Sequence, residues 1–65
     1  MAKYPDVTVQ LSSDDGNVYA VIGAVERALK RAGYREDAIK FRAAAFEAES
    51  YEDVISLAEE TVQVT

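Results

Sequence analysis

The sequence predicts a small α+β domain in which a two-stranded sheet, formed by the two ends of the chain, is covered on one face by three helices. Residues 7–10 (VTVQ) are echoed by residues 61–64 (TVQV), and both segments alternate β-branched with polar side chains. This alternation is typical of half-buried strands. Between them, apolar residues recur at the helical period. We therefore expect one domain over residues 1–65 with the element order β-α-α-α-β.

The first strand is expected to start at Asp6 or Val7, because Pro5 cannot donate a ladder hydrogen bond. Residues 12–17 form a polar turn with Gly16 at the bend, and Asn17 or a preceding aspartate is suited to cap the following helix. The valines of both strands are expected to face the helices, at positions 7, 9, 62 and 64. The polar residues of both strands are expected to face away, at positions 8, 10, 61 and 63.

The first helix is predicted over residues 18–32, where apolar residues at positions 18, 21, 22, 25, 28, 29 and 32 form one wide stripe. Three basic residues in its last turns, Arg27, Lys30 and Arg31, complement the helix dipole. Gly33 is placed to adopt the left-handed conformation that ends a helix, after which Tyr34 packs back.

The second helix is predicted to begin near Glu36 and Asp37 and to run to about Ala48. We assign its inward stripe to Ile39, Ala43 and Phe46. This assignment leaves four residues on the opposite side, Ala38, Phe41, Ala45 and Ala48.

The third helix is predicted to begin at Tyr51 and to end before Thr61, because Ser50 and Asp53 have capping-box spacing. It presents Tyr51, Val54, Ile55 and Ala58. No glycine or proline separates it from the second helix, so the break between them is either real or only a kink. If each of the three helices reverses the chain direction, the two strands run parallel.

Composition limits the function. The chain has 65 residues, a net charge of −5, no cysteine and no histidine. A domain of this size buries only about 60% of its unfolded surface, so we expect self-association to add stability. We expect a soluble, cytoplasmic protein without a membrane span, and the negative charge makes nucleic acid an unfavourable partner.

No enzymatic activity, metal or other cofactor, or small-molecule substrate is expected. The serines, threonines and tyrosines have no nucleophile–base spacing that indicates catalysis. The acidic turn at residues 12–17 does not match the spacing of a calcium loop, and its charge would repel a phosphate.

A resemblance to a known family lies in residues 4–5 (YP), 7–11 (VTVQL), 15–17 (DGN), 19, 22–23 (IG), 28–29 (AL), 32–33 (AG), 39, 51, 62 and 64. In these residues the chain resembles a family of short proteins of actinobacteria and their phages to which no activity is assigned. The chain departs from the family pattern at Phe41 and Arg42. The resemblance implies a recurring fold and a mobile-element origin, and it transfers no catalytic residue.

The leading interpretation is a non-enzymatic protein-interaction module that pairs with itself or with another protein, most simply as a homodimer. Its partner-binding residues are predicted on the backs of the first two helices, at Ala20, Gly23, Ala24, Arg27, Phe41 and Ala45. Phe41 among alanines is typical of a helix contact, either within the monomer or between subunits.

Two alternatives remain open. A nucleic-acid-binding regulator would use the basic end of the first helix, with Arg27, Lys30, Arg31, Tyr34 and Arg35. An acidic inhibitor that imitates nucleic acid would use residues 47–60, which contain six acidic residues and no basic one.

Overall fold

The protein folds in the predicted order β-α-α-α-β. The structure, a computed structural model, describes residues 2–10 and 18–65. Its elements are β1 (Tyr4–Val9), α1 (Val18–Arg31), α2 (Arg35–Glu47), α3 (Tyr51–Thr61) and β2 (Val62–Val64). The predicted polar turn and helix cap at residues 12–17 lie outside the described residues.

The two strands pair in parallel, as the three intervening helices predict. Thr8 pairs with Gln63 and Val9 with Val64, whereas an irregularity separates these pairs from Tyr4 opposite Val62. The valines at positions 7, 9 and 62 are buried under the helices, and Thr8, Gln10 and Gln63 are exposed on the other face. Val64 is half-buried against the core. The predicted inside and outside of the sheet are therefore confirmed, except that Val64 is only partly covered and that Thr61 belongs to α3.

Two predicted boundaries were wrong. β1 starts at Tyr4 and includes Pro5, which is compatible with an edge strand because only one ladder donor is lost. Helix α3 continues through Thr61, whose hydroxyl donates a hydrogen bond to the Leu57 carbonyl at 2.7 Å.

Helix α1 agrees closely with its predicted pattern. Val21, Ile22, Val25 and Leu29 are buried, although Ala32 lies beyond the helix and is exposed. Gly33 ends the helix with φ of 96°, and the Tyr34 N–H then donates to the Leu29 carbonyl at 2.8 Å. This is the left-handed helix termination that glycine favours.

The predicted orientation of α2 was wrong. Ala38, Phe41 and Ala45 are buried in the core, whereas Ile39 and Phe46 are 58% and 52% exposed. Both sides of this helix carry an apolar stripe, and α2 packs against both α1 and α3, which also contact each other. Two of the three buried residues of α2 are alanines, whose small side chains leave room for the neighbouring helices. Phe41 is consequently a core residue of the monomer.

Helices α2 and α3 are separate rather than one kinked helix. Ala48 is extended, with ψ of 143°, and breaks the helical path. Ser50 then caps α3 by accepting a hydrogen bond from the Asp53 N–H at 3.2 Å. The cap predicted from the sequence is therefore present.

Candidate functional site

Four large apolar or aromatic side chains are exposed in the described part of the chain: Ile39 and Phe46 on α2, Tyr19 on α1 and Tyr51 on α3. We define the α2 outer face as Ile39, Ala43 and Phe46, which project from successive turns on the side away from the core. All three are exposed. Exposed apolar side chains grouped on one face commonly mark an interaction surface, whereas isolated ones do not.

Phe46 is held in place by neighbours from two helices. Its ring lies 5.8 Å from the Tyr19 ring, centroid to centroid, and the Arg42 guanidinium lies 5.6 Å from the Phe46 centroid. Arg42 in turn approaches Glu26 at 3.8 Å, and Lys30 approaches the same carboxylate at 3.2 Å. The exposed ring is thus presented in a defined position, which lowers the entropy lost when a partner binds.

An open cleft of about 360 Å³ adjoins Phe46 at the end of the α2 outer face. It lies between the start of α1 and the junction of α2 with α3, with Tyr19 and Tyr51 also among its lining residues. Ile22 and Val54 contribute apolar lining. Glu49 and Ser50 also line it, so the cleft offers a mainly apolar surface with polar groups at the α2–α3 junction.

The predicted partner surface divides between the core and the back of α1. Phe41 and Ala45 are 4% and 2% exposed, so neither can meet a partner. Ala20 and Arg27 are exposed, and Gly23 and Ala24 are half-buried. A Cβ atom at Gly23 would meet only the Arg27 guanidinium, at 4.0 Å, so packing among the described residues does not require this glycine.

The predicted nucleic-acid residues do not form one surface. Lys30 points toward Glu26 on the α2 side of α1. The Tyr34 ring stacks on Tyr4 at 4.5 Å, and its hydroxyl donates to Asp6 at 3.0 Å. This ring is therefore already engaged on one face by another ring. Arg27, Arg31 and Arg35 remain exposed.

The hydroxyls of Tyr4 and Tyr34 are poor nucleophiles, because hydrogen bonds to carboxylates keep them protonated. A hydrogen bond to the Asp37 carboxylate raises the pKa of Tyr4 to about 12. The hydrogen bond to Asp6 likewise raises the pKa of Tyr34 above its ordinary value. Both phenols stay protonated at neutral pH, so they act as donors that join β1 to the start of α2.

Acidic residues are distributed along the surface. The six acidic side chains of residues 47–60 are all exposed, and within residues 2–10 and 18–65 no three acidic groups converge as metal ligands. In the same ranges, none of the helices has the length and apolar character needed to span a bilayer. The acidic turn considered for a metal lies outside these ranges.

The sequence alone failed to identify the α2 outer face as surface. Its signal was present: Ile39, Ala43 and Phe46 follow helical spacing, and so do Ala38, Phe41 and Ala45 on the opposite side. In a helix that is apolar on two sides, either stripe can face the core. Periodicity does not indicate which contact lies inside the monomer.

Comparison of the chain with protein-family models, with curated proteins and with solved structures finds no match. The resemblance to actinobacterial and phage proteins stays a prediction.

Proposed function

We propose that the protein is a non-enzymatic interaction module that forms a homodimer through the α2 outer face. The observation that carries the proposal is the exposure of Ile39 and Phe46, at 58% and 52%, in a domain whose core is already filled by other side chains. Covering these two side chains would remove apolar surface from water, at roughly 25 cal/mol per Å². A chain of 65 residues has little other means of enlarging its core.

Charge favours a second copy of the chain as the occupant. Lys40 and Glu47 are exposed and lie on the same flank of the α2 outer face, seven residues apart. They are about 10 Å apart along the helix axis, too far for an ion pair within one helix. In an antiparallel pair of α2 helices related by a two-fold axis, Lys40 of each copy lies beside Glu47 of the other.

The centre of such a pair falls near Ala43. Ile39 and Phe46 lie on either side of this residue, so each isoleucine approaches the phenylalanine of the other copy. Alanine at the crossing point leaves space for the two helices to approach closely. The contact is isologous, since the same residues are used on both subunits, and this arrangement closes as a dimer.

The first test is the solution mass across a dilution series, measured by sedimentation velocity. We expect a concentration-dependent dimer that Ile39→Ser shifts toward monomer. Because Ile39 is 58% exposed, this substitution leaves the monomer core intact. Ser56→Ala, at an exposed position of α3, serves as the control and should leave the dimer unchanged. A mass that stays monomeric at every concentration would refute the proposal.

A charge exchange tests the antiparallel arrangement. Lys40→Glu and Glu47→Lys should each weaken the dimer on the order of tenfold, because each replaces two symmetry-related attractions by repulsions. The double variant should recover the original dissociation constant. Glu52→Lys, an equal change of charge at an exposed position on α3, is the control. Losses that merely add in the double variant would contradict the arrangement.

A further inference from the structure

The edge of β1 that faces away from β2 is open in the described part of the chain. The sheet there has two strands, so β1 has a neighbour on one side only. The Val9 carbonyl accepts a hydrogen bond from the Thr65 N–H at 3.0 Å and thus points toward β2. Backbone groups of consecutive strand residues point to opposite edges, so those of Thr8 point to the open one. An open edge can pair with another strand.

A groove runs along this edge between β1 and α1. Two cavities, each of about 220 Å³, share Thr8, Ala28 and Arg31. One extends to Gln10 and the other to Asp6, so together they follow β1 over five residues, roughly 16 Å of extended chain. The α1 side of the groove presents Ala24, Ala28 and Ala32. These small side chains leave room for the backbone and side chains of an added strand.

Two arginines line the groove from the α1 side. Arg27 and Arg31 are both exposed, and within residues 2–10 and 18–65 neither has a carboxylate within 4 Å. The other cations nearby differ, because Lys30 and Arg42 both approach Glu26 on the opposite side of α1. In a protein of net charge −5, this pair of guanidinium groups is a local positive site, and among the described residues the one carboxylate that lines the groove, Asp6 at its far end, accepts a hydrogen bond from the Tyr34 hydroxyl. Complementary charge indicates an acidic occupant.

The spacing of the two arginines fits a strand. Residues four apart on a helix are separated by about 6 Å along its axis. Alternate residues on one face of a strand are separated by about 6.6 Å. One strand can therefore place two acidic side chains at alternate positions, each opposite one arginine.

We propose that this groove binds an extended acidic peptide, which adds to β1 as a third strand and pairs alternate carboxylates with Arg27 and Arg31. The site is on the opposite side of α1 from α2, so it is independent of the proposed dimer and either can fail alone. A nucleic acid fits the groove less well, because the backbone edge offers ladder hydrogen bonds and the Tyr34 ring is already stacked on Tyr4.

The test uses a fluorescein-labelled hexapeptide in which glutamate occupies every second position and valine or threonine occupies the positions between. Fluorescence anisotropy measures its binding. We expect saturable binding that the Arg27→Gln/Arg31→Gln double variant weakens about tenfold. Lys30→Gln removes one positive charge from the neighbouring position outside the groove, as each arginine substitution does within it, and we expect it to change binding less than about twofold. The Thr8 amide should shift in ¹⁵N-resolved NMR spectra when the peptide binds.

Control ligands separate strand addition from charge attraction alone. A peptide with proline at two alternate positions should bind at least tenfold more weakly, because it cannot complete the ladder. A peptide with lysine in place of glutamate should not bind. Equal binding of the proline peptide, equal loss in Lys30→Gln, or tighter binding of a single-stranded oligonucleotide would each overturn the proposal. It would also be overturned if the double arginine variant abolished self-association, since a second copy would then occupy the groove.

Discussion

The orientation of α2 predicts that its two phenylalanines contribute very differently to stability. Phe41 is 4% exposed and packs in the core, whereas Phe46 is 52% exposed on the α2 outer face. Truncating a buried phenylalanine to alanine costs about 3–5 kcal/mol, because transfer free energy and packing are both lost. Truncating Phe46 to alanine costs less, because only about half of this side chain is buried. The lost burial and the lost contact with the Tyr19 ring together amount to about 1 kcal/mol.

These costs are large for a chain of this length. A stability of about 0.05–0.15 kcal/mol per residue gives the domain roughly 3–10 kcal/mol in total. Phe41→Ala should therefore leave the protein largely unfolded or close to it. Phe46→Ala should remain folded, with its Tm lowered by about 4–8 °C.

Urea unfolding followed by circular dichroism measures the loss of unfolding free energy in both variants, and a thermal scan of Phe46→Ala gives its Tm. The protein concentration must be low enough that halving it does not change the midpoint, so that dimerisation contributes nothing. Phe41→Leu is a useful second variant, because it keeps most of the apolar volume and should stay folded with an intermediate loss. If Phe46→Ala were as destabilising as Phe41→Ala, the assigned orientation of α2 would be refuted.

Four further variants test local features by the same unfolding measurement or by titration. Gly33→Ala should cost about 1 kcal/mol because φ is 96° there, whereas Gly23→Ala inside α1 should stabilise by up to about 1 kcal/mol; equal effects would contradict the two backbone assignments. Ser50→Ala should cost about 1 kcal/mol through loss of the α3 cap, and no change would exclude that cap. For Tyr4, the pKa of about 12 lies above the unfolded value of 10.0, so its contribution to stability is complete below pH 10 and is lost as the pH rises through about 12. Tyrosinate absorbance should show Asp37→Asn lowering this pKa, and an unchanged titration would exclude the hydrogen bond.

The sheet and α1 were predictable because the apolar pattern of each allows only one face to be buried. Valines alternate with polar residues in both terminal segments, so only one face of each strand can be buried. In α1 the apolar residues form one stripe, and Gly33 follows it directly. Three reversing helices between the strands then make the parallel pairing the natural arrangement, as observed.

The orientation of α2 could not be derived in the same way. Burying Ile39 and Phe46 would remove more apolar surface from water than burying Ala38 and Ala45, which favoured the wrong side. The orientation depends on how α2 packs against α1 and α3, which is a property of the assembled domain rather than of the helix. The irregularity in β1 follows Tyr4, whose side chain contacts Tyr34 and Asp37 from a distant part of the sequence, and no local pattern predicts those contacts.

The exposed side of α2 is the more informative part of this error. The residues expected to build the core are the ones that form the candidate dimer contact, and Phe41 and Ala45, expected to meet a partner, build the core. One apolar stripe of α2 stabilises the monomer, and the other is proposed to join two monomers.

The most direct test of the proposed dimer is cross-linking through a single cysteine at position 43. The chain contains no cysteine, and Ala43 is exposed at the centre of the α2 outer face. A residue beside a two-fold axis lies next to its own counterpart, so Ala43→Cys should form an intersubunit disulfide rapidly under mild oxidation. Ala32→Cys, also exposed but remote from this face, should stay largely monomeric. Equal rates for the two variants, or no disulfide at position 43, would contradict dimerisation through α2.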